Sequence, residues 1–186
     1  EMCIRDRLRE TQLVVCLLFQ YAGMSFVDFA HLKERNIKNG ILDYNRQKTG
    51  TPMRLEILDT AELMRKELMG DKKPASGYLF PFLSGTKTGY EAYLEYNAAL
   101  SRFNRNLKAL KKAAGIASDV TSYTIRHSFA MALKEQNVPI EMISELLGHK
   151  SIKTTQIYLR SFSLEKMTEV NSTCFGCVYN YVSKVG

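Results

Sequence analysis

The stretch TSYTIRHSFAMALKEQNVPIEMISELLGHKSIKTTQIY, Thr121 to Tyr158, leaves this chain the fewest choices. Phe129, Ala132 and Leu133, then Ile140, Ile143, Leu146 and Leu147, recur at the spacing of one helical face. Gly148 follows the second run and suits the left-handed position that ends a helix. His149 therefore falls in a turn just past a helix end. Ser151 can N-cap a further short helix that carries the chain to Tyr158. The stretch holds two of the three histidines, a central arginine, and a tyrosine nine positions after His149.

A tyrosine hydroxyl is a poor nucleophile near neutral pH, because its ordinary pKa is about 10. It becomes effective where cations and hydrogen-bond donors hold the group being attacked. Arginine suits a phosphate, since its planar fork donates two parallel bonds to the oxygens. A histidine past a helix end can donate to a phosphoryl oxygen or move a proton. Arg126, His149 and Tyr158 together point to a phosphodiester attacked by tyrosine.

The same residues carry a resemblance. Arg126–His127 followed by LLGHKSIKTTQIYL resembles the C-terminal catalytic domain of the tyrosine recombinases, the phage-integrase family. That family has a His-x-x-Arg box, then Leu-Gly-His, then a nucleophilic tyrosine about nine residues on. Arg126, Leu147–Gly148–His149 and Tyr158 match these parts, and Tyr123 stands where the box histidine would. The resemblance reaches back to about Glu10. Gly23-Met24-Ser25-Phe26-Val27-Asp28 and the box tyrosine make it similar to mobile-element integrases of Bacteroides-like bacteria.

The resemblance implies a reaction and roles. Tyr158 would attack DNA phosphorus, giving a 3′-phosphotyrosyl link and a free 5′ hydroxyl. The bond energy stays in that link, so no cofactor is implied, neither ATP nor a divalent metal. Arg126 would bind the non-bridging oxygens, and His149 would hydrogen-bond the phosphate or aid proton transfer. Tyr123 would donate a hydrogen bond but is a weak general acid. Lys48, in a hairpin turn, would protonate the leaving 5′ oxygen. Strand exchange would engage double-stranded DNA, with a homotetramer on two DNA sites. The family's first catalytic arginine has no counterpart here: Ser25 follows Gly23–Met24, and Ala22 precedes them. The expectation is a weakened site, or one completed by another cation such as Arg46 or Arg54.

Composition is compatible with this. The 186 residues suffice for one domain with a real core, and a net charge of +7 favours a polyanionic partner. The candidate DNA contacts are Arg46, Lys48, Arg102, Arg105, Lys150 and Lys153. Leu13 to Phe19 is too short to span a membrane and reads as a buried helix face. Four cysteines make no disulfide framework in a chain this size, so reduced thiols and a cytoplasmic location are expected. Cys174-x-x-Cys177 lacks a second pair and reads as unliganded thiols rather than a zinc site.

The expected fold is α+β and mostly α-helical, with a small three-stranded antiparallel sheet. Helices are expected over about 7–21 and from Ser25 to about Lys33, the second with Asp28 as a capping-box acid. Strands follow near Ile37, over 41–44 and over 53–57, joined by Asn39-Gly40 and by the turn 48–51. Further helices are expected from Thr60 to Met69, from Tyr90 to about Ala114, and from Ser163 to about Val170. Residues 1–170 would form the catalytic domain, without the family's N-terminal DNA-binding domain. Residues 171–186 would form a tail exchanged between protomers.

Two rival readings share features of the chain. Val138 to Leu159 resembles a helix-turn-helix, which fits a DNA-binding protein that is non-catalytic or catalytically impaired. Such a module has no use for Tyr158 or for Lys48 in a hairpin. A type IB topoisomerase would share the chemistry but relax supercoils.

Overall fold

A computed structural model describes residues 4–74 and 77–159, the side chains of residues 4, 5 and 158 left aside. The elements run α1 (Ile4–Gln20), α2 (Phe26–Ala30), a 3-10 turn (Glu34–Asn36), β1 (Ile37–Lys38), β2 (Ile41–Asn45), β3 (Pro52–Glu56), α3 (Asp59–Met69), α4 (Gly89–Ala113), α5 (Ser122–Glu135), α6 (Ile140–Leu146) and α7 (Ile152–Tyr158). The expected helices around one small sheet are therefore present. The expected helix from Ser163 to Val170, the Cys174–Cys177 pair and the tail 171–186 lie outside the described residues.

The sheet is antiparallel in the order β1-β2-β3. Asn39 and Gly40 both take positive φ, 51° and 75°, the requirement of a tight two-residue hairpin. They set Lys38 opposite Ile41, and the next hairpin sets Asn45 opposite Pro52. Period-two alternation then turns Leu42 and Tyr44 inward while Asp43 and Asn45 face out.

Helix α1 is the central strut and packs against α3, α4 and α5. Leu13, Val14, Leu17 and Leu18 bury its inner side, whereas Phe19 stays partly exposed against Phe129. Leu17 and Leu18 are both fully buried, each contributing about 1.5–3 kcal/mol relative to exposure. Phe26 and Phe29 of α2 carry the core across to α4 and to the loop that precedes it, through stacks on Phe103 and Phe80. A smaller cluster of Ala130, Ile143 and Leu147 joins α5 to α6.

Helix α2 is shorter than the sequence suggested. It stops at Ala30, and His31 closes it with a bond to the Asp28 carbonyl. Ser25 occupies the N-cap position, yet its hydroxyl donates to the Asp28 carboxylate instead of capping the backbone. The expected capping box does not form, because Asp28 is engaged elsewhere. Tyr93 of α4 is exposed and stacks on Tyr90.

Candidate active site

Two tight turns frame the site. After α6, the Gly148 N–H bonds the Glu145 carbonyl at 2.8 Å and the His149 N–H bonds the Ser144 carbonyl at 3.0 Å. This is the Schellman closure, with Gly148 at φ +62° as the chain reverses. A Cβ at Gly148 would collide with Met53 Sδ and come within 2.7 Å of Arg46 Cδ. Gly23, between α1 and α2, also has φ +62°, and a Cβ there would meet Phe129 at 2.8 Å. Both glycines thus combine a left-handed backbone with no room for a side chain.

Arg126 links the two turns. It is only 4% exposed, in the second turn of α5. Thr121 starts that helix, its side chain accepting from the Thr124 N–H. Arg126 Nη1 donates to the Gly23 carbonyl at 2.9 Å, and Nη2 donates to the Leu147 carbonyl.

Arg46, at the end of β2, reaches the same place from the opposite side. Its Nη1 donates to the carbonyls of Leu147 and Gly148, both at 3.1 Å. Two buried guanidiniums therefore converge on one carbonyl, that of Leu147. Buried charges of one sign need a counter-ion, and Asp28 supplies it. Its Oδ2 lies 3.5 Å from Arg46 Nε and accepts from Ser25 Oγ at 2.5 Å. Its Oδ1 accepts from the Gln47 N–H at 2.7 Å, which ties α2 to the base of the β2–β3 hairpin. Two guanidiniums against one carboxylate leave the cluster net positive, complementary to a phosphodiester.

His149 completes the cluster. Its Nε2 lies 3.3 Å from Arg126 Nη2, and its Nδ1 lies 2.9 Å from Thr155 Oγ1. Burial first, and then the charges of Arg126 and Arg46, push its pKa down to about 4. The ring is therefore neutral near pH 7. A guanidinium can only donate, so Nε2 accepts and the ring proton sits on Nδ1, facing Thr155.

The other candidates are distributed around this cluster. Lys48 is exposed in the hairpin turn, which is closed by the Gly50 N–H to Arg46 carbonyl bond of 2.8 Å. Tyr123 is 60% exposed in the first turn of α5, one turn before Arg126. Lys150 and Lys153 are exposed beside His149 and at the start of α7. The backbone of Tyr158 ends α7, one turn after Thr155. Arg54 is exposed on β3 opposite Asp43, in a groove with Met142 and Glu145, so of the two substitute cations only Arg46 joins Arg126. Arg102 and Arg105 line a separate cleft of about 430 Å³ between α1 and α4, with Arg7 and Lys72. From Arg7 to the end of α1 is about 20 Å at 1.5 Å per residue, so these arginines stand apart from Arg126.

Asp28 and Thr155 belong to the site although the sequence did not single them out for it. Asp28 imitates a capping acid, and Thr155 is one of two adjacent threonines. Only the Arg46 pair and the His149 bond reveal their places. Among the described residues, no cluster of three or more His, Cys, Asp or Glu could hold a metal, and no helix is long and apolar enough to cross a membrane.

Known proteins share this chain's sequence pattern and fold. A model of the phage integrase family matches residues 3–165. Tyrosine recombinase XerA of Pyrococcus furiosus is 32% identical over 164 residues, which cover 86% of this chain and 53% of that protein. The chain thus spans about half the length of this relative. XerH site-specific recombinase, solved in a post-cleavage complex with palindromic difH substrate, superposes with a TM-score of 0.64 at 23% identity, covering 92% of this chain and 47% of that one. The Tn1549 transposon integrase, solved with a circular intermediate DNA, gives a TM-score of 0.62 at 16% identity, over 86% of this chain and 57% of the other. At these identities the two structures establish the shared fold.

Proposed function

This chain belongs to the phage integrase family, and from that premise we propose that it is the catalytic domain of a site-specific DNA recombinase. The tyrosine oxygen of Tyr158 attacks phosphorus in double-stranded DNA and the bond to the 5′ oxygen breaks, leaving a 3′-phosphotyrosyl link. The observation that carries this reading is the convergence of Arg126 and Arg46 beside a neutral His149, on the turn that leads into the helix of Tyr158. A DNA-reading helix-turn-helix has no need of two buried guanidiniums beneath its turn.

Arg126 binds the non-bridging oxygens of the scissile phosphate. Arg46 supplies the second guanidinium that the Gly23-Met24-Ser25 sequence lacks; its Nη2 makes no hydrogen bond or ion pair with the described residues. Asp28 orients Arg46 and the hairpin. Lys48 protonates the departing 5′ oxygen, and Tyr123 donates to the phosphate. Lys150, Lys153, Arg102 and Arg105 contact the DNA backbone, fixing position without reading sequence.

The Tn1549 transposon integrase among the fold neighbours supports a mobile-element origin. Residues 1–170 act as the catalytic unit, in a homotetramer on two DNA sites, with residues 171–186 exchanged between protomers.

The test is incubation with nicked duplexes drawn from a random-sequence pool, followed by recovery of SDS-stable protein–DNA adduct. The native chain yields adduct and Tyr158→Phe yields none. Retained DNA binding without adduct from the native chain would leave a DNA-binding module only. Sequence-independent relaxation of supercoils would indicate a topoisomerase.

A further inference from the structure

We propose that Thr155 is a positioning residue: its hydroxyl holds His149 in the tautomer whose Nε2 lone pair faces the phosphate pocket, ready to receive a proton. The proposal rests on the reading of the site given above.

Thr155 is 0% exposed, among the few polar side chains so deeply buried. A hydroxyl removed from water costs free energy unless it is hydrogen-bonded. A helical threonine commonly satisfies itself on a carbonyl of the preceding turn. Here Oγ1 instead meets His149 Nδ1 at 2.9 Å, across the turn between α6 and α7. The other side of the ring is set by Arg126, whose guanidinium can only donate to Nε2. The ring is therefore held at both nitrogens, and only the Nδ1–H tautomer satisfies both contacts.

This arrangement assigns a proton path. When a phosphodiester enters, its oxygens draw the Arg126 donors toward themselves and release the Nε2 lone pair. As the Tyr158 oxygen bonds to phosphorus, its proton passes to Nε2. The resulting imidazolium keeps its Nδ1–H bond to Thr155, and its new charge lies against the phosphate anion. In the reverse step Nε2 returns the proton to the tyrosine as the DNA rejoins. Thr155 lies in the helix that ends at Tyr158, so docking α7 and aligning the ring are one event. A loosened α7 would release the histidine as well.

The experiment compares Thr155→Val, which keeps the shape and removes the hydroxyl, with Thr155→Ser, which keeps the hydroxyl. Ring ¹⁵N NMR of His149 in the free protein reports the tautomer directly. The native chain and the serine variant should show Nδ1–H, and the valine variant should lose that signature. Single-turnover adduct formation should fall about 10-fold to 100-fold in Thr155→Val, the scale of one lost hydrogen bond, and recover to within a few-fold in Thr155→Ser. In a His149→Ala background, Thr155→Val should cost nothing further. An Nε2–H ring in the native chain, or a valine loss that persists without His149, would overturn the proposal. Absence of adduct from the native chain would overturn the recombinase reading instead, and the ring spectrum would still decide the role of Thr155.

Discussion

Replacing Arg46 by methionine tests whether a buried cation has taken over the work of an absent one. Arg46 is 8% exposed at its side chain and Asp28 1%. Removing one partner of a buried ion pair costs about 3–5 kcal/mol, because the other charge is left uncompensated. Asp28 retains the Gln47 N–H at 2.7 Å and the Ser25 hydroxyl at 2.5 Å, so the cost falls at the lower end, about 3 kcal/mol. For a domain of this size that lowers the melting temperature by roughly 6–12 °C. If Arg46 also holds the phosphate, adduct formation drops by a further factor on the order of 10²–10³, as when one donor to a developing anion is lost. The double variant Asp28→Asn/Arg46→Met separates the two effects. It removes both members of the ion pair but leaves Arg126 without the Asp28 carboxylate, so part of the stability returns, while the adduct defect remains. The assay pairs thermal melts with single-turnover adduct formation on nicked duplex, well below the lowest melting temperature. A double variant that forms adduct at the native rate would refute the catalytic role and leave Arg46 as a structural tie between the hairpin and the α6–α7 turn.

Lys48→Ala should leave the melting temperature unchanged, since Lys48 is exposed, and should slow cleavage by about 10²–10⁴ if it is the general acid. A substrate with sulfur at the bridging 5′ position needs no proton on its leaving group and should restore the rate; a failure to do so would remove Lys48 from that role. Acid should destabilise the fold through His149. Its folded pKa of about 4 lies below the ordinary value of about 6.5, so between these limits the unfolded chain binds more protons. Its contribution is complete above about pH 6.5 and is lost as pH falls toward 4. Melting curves across this window should show a shallower decline in His149→Gln than in the native chain, and equal slopes would contradict the depressed value.

The helices and the sheet could be read from local pattern because their causes are local. Gly148 stops α6 for a steric reason visible in one residue, and Asn39-Gly40 makes a hairpin by φ alone. Alternation along β2 assigns its faces without knowledge of the partner. Errors arose where a residue had two possible uses. Ser25 and Asp28 stand three apart like a capping box, yet Asp28 turns to Gln47 and Arg46, which lie 19 and 18 positions later. Tyr93 follows the helical stripe of α4, but among the described residues it stays exposed, with Tyr90 stacked beside it.

The chain's own order of residues determined the Arg126, Leu147–Gly148–His149 and Tyr158 series, and with it the family and the fold. Only the folded arrangement decided that Arg46 rather than Arg54 joins Arg126, that Asp28 holds it, and that Thr155 sets the ring of His149. The physical reason is range. Caps, turns and periodicity are settled within a few residues, whereas a buried charge is satisfied by whatever the packing brings within 3 or 4 Å, and here that partner lies as far as 103 positions away, as Arg126 does from Gly23.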